Sequence, residues 1–387
     1  MGVDLILGAD SIAAPLTGVG RYAYELARGL PEHPGIGRMR FFSRGRWLGR
    51  ESLLGAERVV PDGRPDLRST LAASRLAVRA YGVLMPALER LRLRGQSDAL
   101  FHSPNFFLPP FAGRSVTTVH DLSHHIHPHF HPPARIDYMR RMLPDSLRRA
   151  THVITVSESA RRDLVTHLGY PPERVTATLL GVNPQFRPRE KAELEPVLQR
   201  LELKPHSYSL YVGTVEPRKN LDRLLDAYAA LPEQLRRHHP LVMAGSPGWN
   251  SEHTHARMQQ AASAGWLRYL RYVPQADLPA LYAGALLFVY PSLYEGFGLP
   301  VLEAMASGTP VVTSHASSLP EVAGDAALLF EPHDSAALAE VLARALQDRQ
   351  WRELARRAGL VRASQFSWAR CIQATVQVYE RVACGPA

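Results

Sequence analysis

The chain has 387 residues, of which 45% are hydrophobic and 21% are charged. This composition is typical of a globular protein with two domains and excludes a wholly disordered chain. With only two cysteines, a disulfide scaffold is excluded and a reducing compartment is favoured. The formal charge is +9, and the excess falls in residues 1–188, which hold 25 basic and 16 acidic side chains. A basic half favours anionic partners such as phosphates, nucleic acid or acidic lipid, although arginine on an ordinary solvated face fits equally well.

The first ten residues, MGVDLILGAD, contain early acids and no basic segment before an apolar stretch. We expect them to form a first strand and not a signal peptide. No run of about 18 apolar residues occurs, so we expect no membrane-spanning helix and a cytoplasmic location.

Short apolar segments alternate with helical patterns in both halves of the chain. Predicted strands lie at 3–8, 115–120 and 151–156, and the alternation restarts with strands at 209–213, 241–245, 287–291 and 309–314. Such runs, bounded by Gly or Pro and separated by helices, indicate parallel sheets covered on both faces. The sequence therefore predicts an α/β protein with two doubly wound domains, at 1–188 and 205–365, and a terminal helix within 366–387.

Residues 67–94 form a basic amphipathic stretch in which leucine, alanine and valine are interleaved with six arginines: Arg68, Arg75, Arg79, Arg90, Arg92 and Arg94. Pro86 is predicted to kink or break this stretch. A basic amphipathic helix can lie on an anionic bilayer. A surface helix that packs on its own sheet and turns its arginines to solvent is the commoner case.

The most informative motif is PSLYEGFGLPVLEAMASGTPVV, residues 291–312. A strand is predicted to end at Pro291, and Pro300 opens a short helix that Gly308 ends. The glycine turn 295–298 between them offers backbone N–H groups and a helix N-terminus. Together these favour a phosphate ligand.

Glu295 and Glu303 in this motif would repel an anion unless they bind something else. Sugar and ribose hydroxyls suit them, because each carboxylate can accept two hydroxyl hydrogens; otherwise the acids only complement the helix dipole. Arg218 and Lys219 follow another predicted strand, in GTVEPRKN, residues 213–220. Loops after parallel strands gather at one sheet edge, so these cations are expected near the same phosphates, although a solvated Arg-Lys pair is common.

Two further motifs lie in the first half. TGVGRY, residues 17–22, is a glycine loop that lacks the full dinucleotide fingerprint, which argues against a nicotinamide cofactor. VTTVHDL, residues 116–122, places His120 and Asp121 at a strand end that faces the same cleft. Because His120 and Asp121 are expected to lie beside the glycine loop, a functional role is favoured over a purely structural His-Asp pair.

Five histidines follow closely, at His124, His125, His127, His129 and His131. They invite a metal interpretation, but they lie among prolines, and no cysteine or glutamate-rich partner completes a ligand set. We expect a mobile loop at the edge of the cleft and no metal.

Taken together, these motifs resemble the retaining glycosyltransferases of family 4, whose GT-B fold has two facing Rossmann-like domains. The most specific element is the glutamate pair of EGFGLPVLE, residues 295–303, which matches the E-x7-E signature of the family. Supporting elements are GVGRY at 18–22, TVHDL at 118–122, VSES at 156–159 and GVN at 181–183. The combination is similar to the mannosyltransferase-like branch that builds O-antigen and exopolysaccharide chains in bacteria.

The resemblance implies that the second domain binds a nucleotide-sugar and the first domain an acceptor. It implies that Glu295 binds the donor sugar hydroxyls, that Glu303 binds the ribose, and that His120 contacts the reacting sugar. The diphosphate would be bound by Arg218, Lys219 and the N–H groups of Phe297, Gly298 and Leu299, and Gly245 would make a further donor contact. Gly18, Gly20 and Arg21 would border the diphosphate and the acceptor. The final helix is expected to cross back onto the first domain. One departure is Thr214, where many members have an arginine.

The implied reaction is retaining transfer of a hexose, with mannose or a deoxy-mannose from a GDP-sugar favoured, to a saccharide or lipid-linked saccharide. We expect front-face displacement without a cofactor or divalent metal, because no Asp-x-Asp motif occurs. Peripheral attachment to the inner face of the cytoplasmic membrane is expected from the basic first half. The alternatives are a phosphorylase or nucleotide-sugar epimerase on the same fold and, remotely, a nucleic-acid-binding protein, although no recognisable module of that class is present.

Overall fold

The computed structural model describes residues 2–13, 16, 18–55 and 75–385, without the side chains of residues 75–83. Two α/β sheets follow one another along these residues. The first sheet has the strand order β3-β2-β1-β4-β5-β6-β7 and is parallel except for the antiparallel edge strand β3. Its strands are β1 Val3–Gly8, β2 Ile36–Ser43, β3 Arg46–Leu48, β4 Leu100–Ser103, β5 Ser115–Val119, β6 His152–Thr155 and β7 Val175–Ala177.

Helices join the strands of this first sheet. They are α1 Gly18–Gly29, α2 Arg50–Leu54, α3 Arg75–Arg92, α4 Ser123–Ile126, α5 Pro133–Arg149 and α6 Glu158–Leu168. Leu5, Leu7, Val116 and Ile154 are buried on its strands. Strands β4, β5 and β6 are buried along their whole length, as expected for a parallel sheet that is covered on both faces.

The second sheet is wholly parallel, with the order β10-β9-β8-β11-β12-β13. Its strands are β8 Ser209–Val212, β9 Leu241–Ala244, β10 Leu267–Arg271, β11 Leu287–Tyr290, β12 Val311–Ser314 and β13 Ala327–Phe330. Its helices are α7 Lys191–Arg200, α8 Leu221–Ala230, α9 Glu233–His238, α10 Glu252–Ser263, α11 Leu278–Ala283, α12 Leu299–Ala306, α13 Leu319–Ala323, α14 Ser335–Gln347 and α15 Arg349–Ala363. Helix α16, Trp368–Cys384, follows.

The predicted α/β fold with two doubly wound sheets is confirmed. All seven predicted strands are present, with ends that differ by at most two residues. Several strands were not predicted, and two of these are β2, with the sequence IGRMRFFS, and β10, with LRYLR. Both lie at or next to a sheet edge and carry arginines on a partly exposed face, so they lack the apolar run that marks a central strand.

The basic segment is helical from Arg75 to Arg92, and the helix passes through Pro86 without a break. Of the two predicted outcomes, the break was therefore wrong, and the kink stays a prediction. A proline removes one backbone hydrogen bond, and the other bonds of this 18-residue helix continue on both sides. Arg68 lies outside the described residues, and the side chains of Arg75 and Arg79 are not described.

Helix α16 returns from the second sheet to the first, where it contacts α1, β1 and β6. The hydroxyl of Tyr379 lies 2.6 Å from Nδ1 of His102 on β4. At the end of the helix, Arg114 donates to the carbonyls of Ala383 and Gly385. The chain therefore ties its own end to the first sheet.

His102 is the centre of a buried polar network under α16. Its Nε2 lies 2.8 Å from the hydroxyl of Thr118, which lies 3.1 Å from the hydroxyl of Tyr22. Burial lowers the pKa of His102 to about 3, so the ring is neutral near pH 7. A neutral imidazole has one donor and one acceptor nitrogen, and both are paired here.

Replacing Tyr379 by phenylalanine should therefore destabilise the protein by about 1–3 kcal/mol, because Nδ1 of His102 would be left buried without a partner. Urea unfolding measures this loss. The control is Tyr272→Phe, at a side chain that is 49% exposed, which should change the free energy of unfolding by less than about 0.5 kcal/mol. Equal effects of the two substitutions would show that the network does not stabilise the crossing helix.

Candidate active site

Two loops of the second sheet meet where its strand order reverses, between β8 and β11. Residues 213–220 follow β8 and residues 291–298 follow β11. Asn220 ties the loops together, because its side-chain amide donates to the carbonyl of Pro291 at 3.0 Å. A crevice at such a reversal is where doubly wound sheets bind ligands.

The carbonyl groups of residues 295–297, in the turn 295–298, are hydrogen-bonded to serine hydroxyls. The hydroxyl of Ser318 donates to the carbonyls of Glu295 and Phe297, at 2.9 and 2.8 Å. The hydroxyl of Ser157, which belongs to the first sheet, donates to the carbonyl of Gly296 at 2.6 Å. These bonds fix the orientation of each peptide group in the turn.

The amide groups of the same turn are left for a ligand. No acceptor among the described residues takes the N–H groups of Phe297, Gly298 or Leu299. These three donors lie at the first turn of α12, whose N-terminus adds a partial positive charge. Such N–H groups at a helix start are suited to bind an anion, and the phosphate contact stays a prediction. We call the N–H groups of residues 297–299 the amide cradle.

A buried ion-pair cluster lies beside the cradle. The two carboxylate oxygens of Glu295 lie 2.7 Å from Nη1 of Arg218 and 2.6 Å from Nζ of Lys219. Arg218 also pairs with Glu216 at 2.7 Å, and Lys219 donates to the hydroxyl of Tyr290 at 2.8 Å. Two carboxylates thus balance two cations in a space that water scarcely reaches.

Charge compensation in the cluster outweighs desolvation for the acid. Burial opposes ionisation, but Arg218 and Lys219 lower the pKa of Glu295 to about 2. Burial and the neighbouring Arg218 lower the pKa of Lys219, and Glu295 opposes that effect. Glu295 is therefore ionised near neutral pH.

Glu295 and Lys219 contribute to the stability of the fold as well as to the site. Both are more than nine-tenths buried, and they form an ion pair with each other. Removing one partner of a buried pair costs about 3–5 kcal/mol, so Glu295→Ala is expected to affect stability as well as activity.

The second glutamate of the motif, Glu303, lies on α12 and is half-buried. Burial raises the pKa of Glu303 to about 7, and the guanidinium of Arg21 opposes that rise. Arg21 belongs to α1, in the glycine loop of the first sheet. A Cβ added to Gly18 in that loop would lie 4.0 Å from the side chain of Leu299. The structure thus brings the glycine loop and Glu303 together.

His120 of the first sheet lies directly against the turn 295–298, which we call the donor turn. A Cβ added to Gly296 would lie only 2.1 Å from the carbonyl oxygen of His120, so only glycine fits at that position. The Nε2 of His120 lies 2.8 Å from the carbonyl of Pro104. Since a carbonyl only accepts, Nε2 carries the hydrogen, and burial lowers the pKa of His120, which keeps the ring neutral. Its Nδ1 is then an acceptor.

Asp121 is locked beside His120. Its Oδ1 accepts from the backbone N–H and the hydroxyl of Ser123, at 2.9 and 2.7 Å. Burial opposes its ionisation, but Arg218 and these hydrogen bonds hold the pKa of Asp121 below its ordinary value. The N–H of Leu122, the next residue, donates to the hydroxyl of Tyr294 at 3.3 Å, so the His-Asp turn lies against the loop that carries Glu295.

Gly245 has a packing role. A Cβ at this position would lie 1.9 Å from the carbonyl oxygen of Gly213. The N–H of Gly245 donates to the carbonyl of Arg271 at 2.7 Å, and its own carbonyl accepts from Tyr269 at 2.8 Å. Glycine at this position therefore allows the two loops to approach closely, and the donor contact of Gly245 stays a prediction.

The histidine segment is not the mobile loop that its prolines suggested. It folds into α4 and a short 3-10 turn, Pro128–Phe130, with His124 and His131 buried. Trp249 of the second sheet donates to the carbonyl of Phe130 at 2.5 Å, which explains why the segment is packed. In the described part of the chain, no group of three or more His, Cys, Asp or Glu side chains is placed to hold a metal ion.

Four contributors to the site were not predicted from the sequence: Ser157, Tyr294, Ser318 and Glu321. Tyr294 immediately precedes Glu295, and its burial at 5% exposure is visible only in the fold. Ser157 lies in the VSES motif, whose role the sequence did not show. Ser318 and Glu321 follow β12 and carry no pattern that distinguishes them from an ordinary helix start.

Two facing Rossmann-like sheets, an amide cradle and paired carboxylates at the crevice define a glycosyltransferase of the GT-B fold. The family profile described as Glycosyltransferase Family 4 matches residues 16–186, and that described as Glycosyl transferases group 1 matches residues 199–360. O-antigen chain mannosyltransferase B of Escherichia coli is 41% identical over 381 residues, which are 98% of this chain and 100% of that protein. The chain therefore belongs to family 4 of the glycosyltransferases.

More distant relatives agree on the fold. D-inositol 3-phosphate glycosyltransferase of Salinispora tropica is 32% identical over 245 residues, 59% of this chain and 51% of that protein. The crystal structure of WaaG, a glycosyltransferase involved in lipopolysaccharide biosynthesis, has a TM-score of 0.72 at 19% identity and covers 97% of this chain and 99% of that one. HepE of Anabaena, solved in complex with UDP and glucose, has a TM-score of 0.66 at 16% identity, with 98% and 99% coverage.

The raised pKa of Glu303 predicts a pH-dependent donor affinity. Only the ionised carboxylate can accept two ribose hydroxyls, and with a pKa of about 7 the ionised fraction falls about tenfold between pH 8 and pH 6. The affinity for GDP-mannose should fall by the same factor over that range in calorimetric titrations. Glu303→Gln should bind weakly at both pH values and lose this dependence. A slope that survives in Glu303→Gln would assign it to another group.

Proposed function

We propose that this glycosyltransferase transfers mannose, or a deoxy-mannose, from a GDP-sugar to a lipid-linked saccharide in O-antigen or related polysaccharide synthesis, with retention of configuration. The observation that carries the proposal is the set of three N–H donors at 297–299, which lies between Glu295 and Glu303. The 41% identity with an O-antigen chain mannosyltransferase over nearly the whole chain supports the sugar and the process.

The donor diphosphate is proposed to lie on the amide cradle. Arg218 and Lys219 are neutralised by Glu216 and Glu295 in the structure, so they must exchange partners to reach a phosphate. A diphosphate that draws Lys219 towards itself releases an oxygen of Glu295 for a sugar hydroxyl. In this way one rearrangement would stabilise the leaving group and free the sugar site. Arg218 then takes the role of the arginine that many family members have at the position of Thr214.

The transfer itself is proposed to proceed on one face of the sugar. The bond between the anomeric carbon and the diphosphate oxygen breaks, an acceptor hydroxyl oxygen bonds to the same face of that carbon, and its proton passes to the departing diphosphate. The protein contributes orientation and stabilisation of the leaving charge by the N–H groups of the cradle. The Nδ1 of His120 accepts a hydrogen bond from a donor sugar hydroxyl and so fixes the sugar.

The surface of α3 supports a membrane-bound acceptor. Leu84, Leu88 and Leu91 are exposed at a helical spacing that places them on one face, at 68%, 38% and 65%. Arg90, Arg92 and Arg94 at the same end are also exposed. Among the described residues no helix is long and apolar enough to cross a bilayer. The proposed contact is therefore peripheral, with leucines at the lipid boundary and arginines at anionic headgroups.

A screen of nucleotide-sugars tests the proposed donor. GDP-mannose should raise the melting temperature of the protein more than UDP- or dTDP-sugars, since ligand at 100 times its Kd adds about 2.7 kcal/mol. Lys219→Met should lose this shift and the transfer activity, and NMR of the product should show the anomeric configuration of the donor. Lys191→Met, at an exposed lysine on α7, is the matched control. A preference for UDP-sugars, an inverted product, or sugar transfer to inorganic phosphate would contradict the proposal.

The membrane contact predicts salt-sensitive binding to vesicles. Each arginine near an anionic surface contributes about 1 kcal/mol, so changing Arg90, Arg92 and Arg94 to Ser should abolish most co-sedimentation with anionic vesicles at low salt. The control changes three exposed arginines of α15 to Ser: Arg349, Arg356 and Arg357. Binding to neutral vesicles, or equal loss in both triple variants, would contradict an anchor on α3.

A further inference from the structure

The N-terminal end of helix α6, which belongs to the first sheet, contacts residues of the second half of the chain. Ser157 caps this helix by accepting from the N–H of Ala160 at 3.0 Å, and its hydroxyl proton goes to the carbonyl of Gly296. One serine therefore serves both the helix start and the donor turn. The VSES motif at 156–159 thus lies at a junction between the sheets.

Glu321 makes the second contact with the same helix. Its two carboxylate oxygens accept from the backbone N–H groups of Glu158 and Ser159, at 2.9 and 3.0 Å. The first N–H groups of a helix have no partner inside it, and a carboxylate also complements the dipole there. Glu321 lies on α13 of the second sheet, so the start of α6 is completed by the opposite half of the molecule.

Tyr294 makes the third contact and links it to the ion-pair cluster. Its hydroxyl donates to Oδ2 of Asp163 on α6 at 2.5 Å and accepts from the N–H of Leu122 at 3.3 Å. Its carbonyl accepts from Nη1 of Arg218 at 2.7 Å. Leu122 is two residues beyond His120. Tyr294 therefore contacts both α6 and the turn that carries His120.

We propose that Tyr294 and Glu321 are positioning residues for sugar transfer. By docking α6 onto the donor turn, they set the distance between His120 and the sugar carried by the cradle. The inference rests on the proposed function, because it takes the donor turn as the place of transfer. A misplacement of about 1 Å at a reacting centre can lower a rate about a hundredfold, so these contacts matter although neither side chain is assigned to a substrate.

The proposal separates donor binding from turnover. The amide cradle, the ion-pair cluster and Glu303 all belong to the second sheet, and the hydrogen bond from Ser157 to Gly296 remains when only Tyr294 or Glu321 is changed. Nucleotide binding should therefore survive the loss of either contact. Turnover requires His120 of the first sheet to be in place, so it should fall. A residue that only stabilises the fold would not divide the two measurements in this way.

The first experiment is a double-mutant cycle on the Tyr294–Asp163 hydrogen bond. Tyr294→Phe and Asp163→Ala should each lower kcat with GDP-mannose about tenfold or more, and the double variant should be no worse than the poorer single variant. The Kd of GDP, measured by calorimetry, should stay within about twofold of the wild-type value. Tyr272→Phe, at an exposed tyrosine, is the control. Independent, multiplicative losses or an unchanged kcat would overturn the role of Tyr294.

The second experiment is a series at Glu321. Glu321→Ala removes both acceptors and should lower kcat about tenfold or more, whereas Glu321→Gln keeps one acceptor oxygen and should lose less. Glu340→Gln, at an exposed glutamate on α14, is the matched control and should leave kcat unchanged. If Glu321→Ala does not fold, Glu321→Gln and Tyr294→Phe carry the test.

Different results would contradict the positioning role of Tyr294 and Glu321 and the proposed function. Loss of GDP affinity in parallel with kcat, in either Tyr294→Phe or Glu321→Gln, would place these residues in donor binding and overturn the positioning role. Wild-type kcat in both variants, while Lys219→Met is inactive, would also overturn it and leave the proposed function standing. Failure of the wild-type protein to bind GDP would instead contradict the proposed donor.

Discussion

The buried carboxylate of Glu295 holds two cations at the point where the strand order of the second sheet reverses. Without it, Arg218 and Lys219 would face each other in a space with little water, and burial would favour loss of the Lys219 charge. The neighbouring features depend on this compensation. Arg218 is bonded to the carbonyl of Tyr294 and acts on Asp121 across the cleft, so the same charge that fixes the donor loop also stabilises the His-Asp turn.

The peptide groups of the donor turn divide their hydrogen bonds between the protein and the ligand. Serine hydroxyls from two different parts of the chain, Ser157 and Ser318, donate to the carbonyls of residues 295–297, while the amides of 297–299 have no acceptor among the described residues. A preorganised set of donors needs no reorganisation when a leaving group develops charge. The arrangement also makes the first sheet a structural part of the donor turn, since one of the two serines belongs to it.

Helix α16 returns from the second sheet to the first and places the hydroxyl of Tyr379 next to His102. Contacts between the halves therefore occur at separate places, among them this helix, the hydrogen bond from Trp249 to Phe130, and the contacts of α6 at the cleft. The contacts of α16 surround a buried network of neutral groups at His102. Those of α6 involve Glu321 and Tyr294, next to the ion-pair cluster.

Much of this protein is determined by its sequence alone, because the relevant signals are local. Apolar runs bounded by glycine and proline mark the central strands, and the spacing of Glu295 and Glu303 across a glycine turn and a helix start indicates the cradle and its family. Only the tertiary structure decided that Glu295 is paired with Arg218 and Lys219, that Gly245 is a packing residue, and that the histidine segment is folded against Trp249. Strands at or next to a sheet edge, such as β10 and β2, escaped the pattern because one of their faces is partly exposed. The docking of α6 by Glu321 joins residues 158 and 321, and no local pattern records such a contact, because it exists only when separate loops are brought together by the packing of two sheets.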